Sequence, residues 1–295
     1  MHGFAARAVA TGFTLLQRAK LQFVKLVPKP DAVKASGVSE RQMPKSKVIG
    51  LVMPTAADEI PAEGPIMYPG VGFVSRGVHL RSLTPAGYDD AVARIVPAAE
   101  HLAALGADAI MVIGTSLTFY RGAEFNAELT EKIRAATGLP VSTMSTAIVE
   151  GLRAVGARRL AVATAYTGEV NDLLTAFLTQ EGFEVRSLET FGSAKFVGEA
   201  ARKTEQDILN LSVNAYETAA GADAVLIVCG GLRTLDITRS IEERCGVPVV
   251  SSMPAAFWCA MRLVGASGRI GGKQVGGGYG RLLEQSEFST AEAQI

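Results

Sequence analysis

Cys229 has two glycines directly behind it and five aliphatic residues, Ala224 to Val228, directly before it. A short unbroken apolar run marks a parallel strand covered on both faces, and in open α/β sheets chemistry sits just beyond the carboxyl ends of such strands. Cys229 is therefore expected at a strand end, as a nucleophile or an acid. Gly230 and Gly231 lack Cβ atoms, so a ligand can reach their backbone N–H groups. They are also expected to open the next helix, whose positive end would favour the thiolate. Cys245, ahead of Gly246-Val247-Pro248, and Cys259, inside Phe257-Trp258-Cys259-Ala260-Met261, have neither feature and are expected in the core.

The strand that carries Cys229 is written twice in the chain. Ala222-Asp223-Ala224-Val225-Leu226-Ile227-Val228-Cys229-Gly230-Gly231-Leu232 repeats Ala107-Asp108-Ala109-Ile110-Met111-Val112-Ile113-Gly114-Thr115-Ser116-Leu117. Beyond each copy a helical stretch ends in Gly138-Leu139-Pro140-Val141 or Gly246-Val247-Pro248-Val249, and each half opens alike, with residues 47–55 and 159–167. The repeat predicts an α/β chain of two pseudo-symmetric, doubly wound halves, each a parallel four-stranded sheet flanked by helices. The strand ends would meet at one cleft. Thr115 and Ser116 then face Gly230 and Gly231, and their hydroxyl and amide donors can converge on an anion, although the same residues also serve as helix caps. Tyr166, ending the second half's first strand, is open between packing and phenolic donation. Pro54 mirrors it as an apolar wall.

Bulk properties narrow the partner. The 295 residues are 48% hydrophobic with a formal net charge of +0, so a large core can form and no global field favours nucleic acid or an anionic membrane. A small molecule is the expected partner. Three cysteines without close pairing and three histidines offer neither a disulfide framework nor a zinc cluster. A reduced cytoplasm and a site without metal are expected.

In chain order, residues 1–46 form a basic extension, with Arg7, Arg18, Lys20, Lys25 and Lys29 ahead of any acid. Its apolar run is too short to span a membrane and lacks a signal-peptide cleavage pattern. It is expected to be dispensable or disordered, with Met43 an alternative start. The first half takes residues 47–155: strand 47–54, a long irregular loop 55–83, a helix from Pro85 to Leu105 capped by Thr84, strand 107–113, helix 123–136, strand 139–142 and helix 145–155. The second takes residues 156–283, with strands 159–164, 183–187, 223–228 and 247–250 and helices 168–181, 204–220, 234–244 and 254–264. Its glycine-rich stretch 271–280 reads as a covering loop, and 284–295 as a tail.

Five motifs carry a family resemblance: Gly114-Thr115-Ser116-Leu117-Thr118-Phe119-Tyr120-Arg121-Gly122, Thr143-Met144-Ser145-Thr146-Ala147, Ala163-Thr164-Ala165-Tyr166, Cys229-Gly230-Gly231-Leu232 and Gly278-Tyr279-Gly280-Arg281-Leu282. Through them the chain from Lys47 to Leu283 resembles the arylmalonate decarboxylases of the cofactor-independent aspartate/glutamate racemase superfamily, with maleate isomerases as relatives. The resemblance implies a carboxy-lyase that uses no cofactor. Racemases and isomerases of the superfamily carry a cysteine in each half, whereas Gly114 stands in the second place here, as in the decarboxylases. By the same resemblance Cys229 is the proton donor, and Thr115, Ser116, Tyr166 and Gly230 form an oxyanion hole for the retained carboxylate. Pro54, Leu80, Leu83, Tyr88, Gly114, Val197, Ala200 and Gly231 would line the substrate pocket, with Ala200 smaller than the family pattern. The competing expectations are a racemase or cis–trans isomerase, which needs a second acid/base that Gly114 cannot supply, and a non-catalytic carboxylate binder, which has no use for Cys229.

Overall fold

Both copies of the repeat build the same sheet. In the computed structural model, which describes residues 46–192, 200–266, 269–270, 273–274 and 278–284, the first half contains β1 (Val48–Met53), α1 (Glu63–Met67), β2 (Gly72–Gly77), α2 (Pro85–Val92), α3 (Ile95–Ala104), β3 (Ala109–Val112), α4 (Thr115–Phe119), α5 (Gly122–Thr137), β4 (Val141–Thr143) and α6 (Met144–Ala154). The second contains β5 (Arg159–Thr164), α7 (Gly168–Gln180), β6 (Glu184–Thr190), α8 (Glu205–Thr218), β7 (Ala224–Val228), α9 (Thr238–Cys245), β8 (Val249–Ser251) and α10 (Ser252–Leu263). A two-stranded ribbon, β9 (Arg269–Ile270) with β10 (Lys273–Gln274), and α11 (Arg281–Glu284) follow. The main sheets run β2-β1-β3-β4 and β6-β5-β7-β8, parallel throughout.

The repeated Ala-Asp-Ala works as a strand clamp. Asp108 accepts from Val48 N–H at 2.8 Å, and Asp223 accepts from Arg158 and Arg159 N–H, both at 2.8 Å. Each aspartate thus pins the start of the neighbouring central strand and sets the register that carries the two strand ends to the same level.

The halves are locked by exchange of helices. Helix α6, from the first half, packs on β8, and α10, from the second, packs on β3 and β4. Their apolar faces, with Ile148, Leu152, Phe257 and Trp258, join a core that also takes Leu51 and Met111 from one sheet and Val162 and Leu226 from the other. Each buried side chain of this size contributes about 1.5–3 kcal/mol. Separate clusters cover the outer faces under α2, α3 and α5 and under α8 and α9.

Four local expectations change. The stretch 55–83, expected as a loop, holds α1 and the edge strand β2, whose half-buried residues give no clean alternation. The helix expected over Pro85–Leu105 breaks at Ala93–Arg94. Pro97 lacks the N–H that would bond the Ala93 carbonyl and its ring collides with that oxygen. Arg94 stays at the break by donating to the Val78 carbonyl at 2.8 Å and the His79 carbonyl at 3.2 Å. Strand β6 runs to Thr190, beyond the expected 187. The helix after Cys229 starts only at Thr238, so the thiol does not stand at a helix N-terminus.

The Gly278-to-Leu282 motif docks α11 against α9. Glu242, buried beneath it, accepts from Arg281 N–H through both oxygens at 3.0 and 3.1 Å and from Val249 N–H at 3.0 Å. Gly280 has φ +108°, and a Cβ there would lie 2.5 Å from the Thr238 methyl. Gly280→Ala is accordingly expected to cost about 2 kcal/mol, from backbone strain plus overpacking, lowering Tm by roughly 4–8 °C in calorimetry. No helix among the described residues is long and apolar enough to cross a membrane. Residues 1–45 and 285–295, with the expected extension and tail, and most of 271–277 lie outside the described residues.

Candidate active site

In each sheet the chain reverses its winding between two adjacent central strands, β1 and β3 in one and β5 and β7 in the other. At such a switch point the outgoing connections diverge and leave a crevice beyond the strand ends. The two crevices form one cavity of about 650 Å³, mouth included. Its walls are the four ends: Met53, Pro54 and Thr55; Ile113, Gly114, Thr115 and Ser116; Ala165 and Tyr166; Cys229, Gly230 and Gly231. Leu83, Ala200 and Met253 complete them.

Most of the residues singled out in the sequence therefore meet in one place. Leu80 and Tyr88 do not reach the cavity surface; they pack in the core under α2 and α3. The buried Tyr88 hydroxyl has no partner in hydrogen-bonding geometry among the described residues, and Ser116 lies close enough to ease an ionisation that burial otherwise pushes up to about 12. Val197 lies outside the described residues. Met53, Thr55, Ile113, Ala165 and Met253 were not singled out, although the first four are immediate neighbours of residues that were. Met253 follows Ser251-Ser252 as Met144 follows Ser142-Thr143, a parallel visible in the repeat.

Backbone geometry sets Cys229 apart. Its φ is +131°, beside +113° at Gly114 in the mirror position. The glycine adopts that conformation freely, whereas a residue with a Cβ pays on the order of 1–3 kcal/mol. Leu232 N–H donates back to the Cys229 carbonyl at 3.1 Å, closing a tight turn through the two glycines. We expect Cys229→Gly to be more stable than Cys229→Ala by about 1 kcal/mol, the reverse of the usual order, in urea unfolding of the two variants. Equal stabilities would mean that the turn relaxes.

The cavity is electrostatically plain: no charged side chain lines it among the described residues. Burial pushes the Cys229 thiol up to about 11, with the Gly231 N–H on the sulfur as the weaker opposing effect. The thiolate expected from a helix terminus is thus replaced by a neutral thiol, because the helix is absent and desolvation penalises the charged form. Tyr166 is also held protonated, well above the usual phenol range, by burial first and then by the proximity of Cys229 and Tyr88; hydrogen bonds from Thr115 and Ser116 act in the opposite sense. Its backbone carbonyl accepts from Thr190 Oγ1 at 2.6 Å and Asn171 Nδ2 at 3.2 Å, and its ring stands edge-on to Phe119. Among the described residues the cavity therefore presents O–H, N–H and S–H donors to an anion and no cation.

The raised thiol has a measurable signature. Alkylation of Cys229 by iodoacetamide, followed by mass spectrometry, should be slow at pH 7.5 and accelerate about tenfold per pH unit until it levels near pH 11, because only the thiolate reacts. The linked effect on stability has a definite sign. The folded protein holds this proton more tightly than the unfolded chain, so the contribution is complete below the usual thiol value near 9 and is lost as pH rises from there to about 11. Cys245 and Cys259 are buried in the core, as expected, with Cys259 Sγ 3.4 Å from Ser142 Oγ.

Comparison with known proteins agrees with this architecture. The family model described as arylmalonate decarboxylase matches residues 49–282. The arylmalonate decarboxylase of Bordetella bronchiseptica is 46% identical over 245 residues, which span 83% of this chain and the whole of that protein. A solved, liganded arylmalonate decarboxylase bearing a glycine-to-cysteine and a cysteine-to-serine change superposes with a TM-score of 0.77 at 45% identity, over 82% of this chain and 100% of the other. The maleate cis–trans isomerase of Nocardia farcinica, solved as a mutant with a covalently bound succinylcysteine intermediate, shares the fold at a TM-score of 0.69 and 21% identity, over 81% of this chain and 98% of its own. With a family match across both sheets and a relative covered end to end at 46% identity, the chain belongs to the arylmalonate decarboxylase family.

Proposed function

We propose that the protein decarboxylates α-substituted arylmalonates to chiral 2-substituted carboxylic acids, without a cofactor, through an enediolate. The retained carboxylate is held by the hydroxyls of Thr115, Ser116 and Tyr166 and by the Gly230 N–H. The departing carboxylate faces the apolar side, at Pro54, Leu83, Gly114, Ala200 and Gly231, backed by Leu80 and Tyr88. A charge placed there without partners is raised in energy, and loss of carbon dioxide removes it. The electron pair of the broken C–C bond passes into the retained carboxylate, whose two oxygens become the enediolate stabilised by the same donors. The Cys229 S–H then delivers its proton to one face of the planar carbon, and the resulting thiolate is reprotonated from water.

One arrangement carries this reading: the Cys229 thiol, its proton held by burial, lines one cavity with the hydroxyl-bearing Thr115, Ser116 and Tyr166, and no charged side chain lines it among the described residues. A proton donor must hold its proton at working pH, and the raised thiol does. Gly114 opposite Cys229 speaks against a racemase, which returns protons from both sides. Three unpaired cysteines are compatible with a cytoplasmic enzyme. The test is incubation of the protein with phenylmalonate, α-methyl-α-phenylmalonate and maleate, following carbon dioxide release, product handedness and isomerisation. Release from the arylmalonates with one enantiomer in excess is expected; isomerisation of maleate without release would transfer the protein to the isomerase class.

A further inference from the structure

Ser252 opens α10 in the second half and is only 2% exposed. Its hydroxyl lies between the two walls of the cavity: Cys229 N–H donates to Ser252 Oγ at 3.3 Å, and Ser252 Oγ stands 3.1 Å from Thr115 Oγ1. It thus joins residues 137 positions apart in the chain. A hydroxyl has one proton to give. With Cys229 N–H occupying a lone pair, that proton has two acceptors within reach, the Ile227 carbonyl at 3.5 Å and Thr115 Oγ1 at 3.1 Å. The carbonyl lies beyond the ordinary O–H···O range and the threonine at its edge, so the threonine is favoured.

Donation from Ser252 has a consequence for Thr115. An oxygen that receives a proton from one side directs its own proton elsewhere, and Thr115 lines the cavity together with Tyr166. The Thr115 carbonyl is held separately, by Ser145 Oγ at 3.0 Å, so the Ser252 contact acts on the hydroxyl alone. We propose that Ser252 is a positioning residue: a relay from Cys229 N–H through Ser252 O–H to Thr115 O–H aims the threonine proton at the carboxylate and ties the oxyanion wall to the residue that carries the acid. Serial hydrogen bonds polarise one another, so negative charge arriving at Thr115 strengthens the whole chain, most when the enediolate forms. The inference rests on the function proposed above. It adds a residue that touches no substrate atom.

The experiment is a double-mutant cycle on phenylmalonate decarboxylation. Ser252→Ala should lower kcat about tenfold with KM within about threefold of wild type, because an unaimed donor costs part of the effect of a removed one. Thr115→Ala should lower kcat about a hundredfold. The double variant should fall within twofold of Thr115→Ala, since a relay has nothing left to aim; multiplied losses near a thousandfold would overturn the proposal, because they would show that Ser252 acts independently of Thr115. A second measurement leaves Ser252 intact and needs no turnover. Saturation with phenylacetate should move the Cys229 amide proton downfield in NMR spectra of the wild-type protein and leave it in place in Thr115→Val. Persistence of the shift in the valine variant would overturn the relay. Absence of carbon dioxide release from wild type would instead defeat the proposed reaction, and the amide shift would still judge the relay.

Discussion

The Cys229→Ser protein will bind phenylmalonate with a KM near that of wild type and lose about 10³-fold in kcat, within the range that positioned proton transfer contributes. The two side chains have similar volume, and a serine inherits the same strained φ of +131°, so the wall keeps its shape. A hydroxyl is a far weaker acid than a thiol and cannot deliver its proton to the carbanion at a comparable rate. The split between KM and kcat separates this outcome from a collapsed site, which would raise KM as well. Near-wild-type release of carbon dioxide would remove Cys229 from the chemistry.

A second large effect concerns handedness. Gly114 and Cys229 occupy equivalent ends of β3 and β7 with φ of +113° and +131°. A Cβ at Gly114 would rest 3.4 Å from Leu117 Cβ and from Pro54 Cβ and Cγ, ordinary contact distances. The single obstacle to a cysteine there is the backbone strain that Cys229 already bears. Gly114→Cys combined with Cys229→Gly is therefore expected to fold, to decarboxylate α-methyl-α-phenylmalonate more slowly than wild type, and to give mainly the opposite enantiomer, because the proton now comes from the other wall. Gly114→Cys alone should give product of falling enantiomeric purity and slowly racemise 2-phenylpropionate, as two thiols exchange protons with one enediolate. Chiral chromatography showing the original enantiomer from the double variant would sink the two-wall geometry.

Much of this site was legible in the sequence because its parts are strand ends, and strands declare themselves locally. The aliphatic runs before Gly114 and Cys229, the repeated Ala-Asp-Ala and the glycines that tolerate close approach are properties of consecutive residues, and duplicating them forces two like sheets. Thr115, Ser116, Cys229 and the two glycines after it follow from position, whereas Tyr166 stays open between packing and donation without the family resemblance. Strand β2 escaped because an edge strand is half exposed and shows neither alternation nor a solid apolar run. The break before α3 was written in Pro97 and could have been read there.

Other features had no local signature. The protonation of Cys229 depends on what surrounds its sulfur, and the helix expected behind it begins nine residues later, at Thr238. Desolvation by both halves sets the thiol's character, and no stretch of neighbours encodes that sum. The Gly278-to-Leu282 motif resembles the others in sequence, yet its residues anchor α11 on Glu242, since only the packed chain shows which side of α9 it covers. Ser252 is the sharpest case. Nothing in Ser251-Ser252-Met253 announces a link to Thr115, because the link exists only where α10 of one half crosses onto the sheet of the other. Local patterns announced the two sheets and the residues at their tips; packing set which of those tips touch and which acid keeps its proton, because contact and desolvation arise between segments that the chain brings together only on folding.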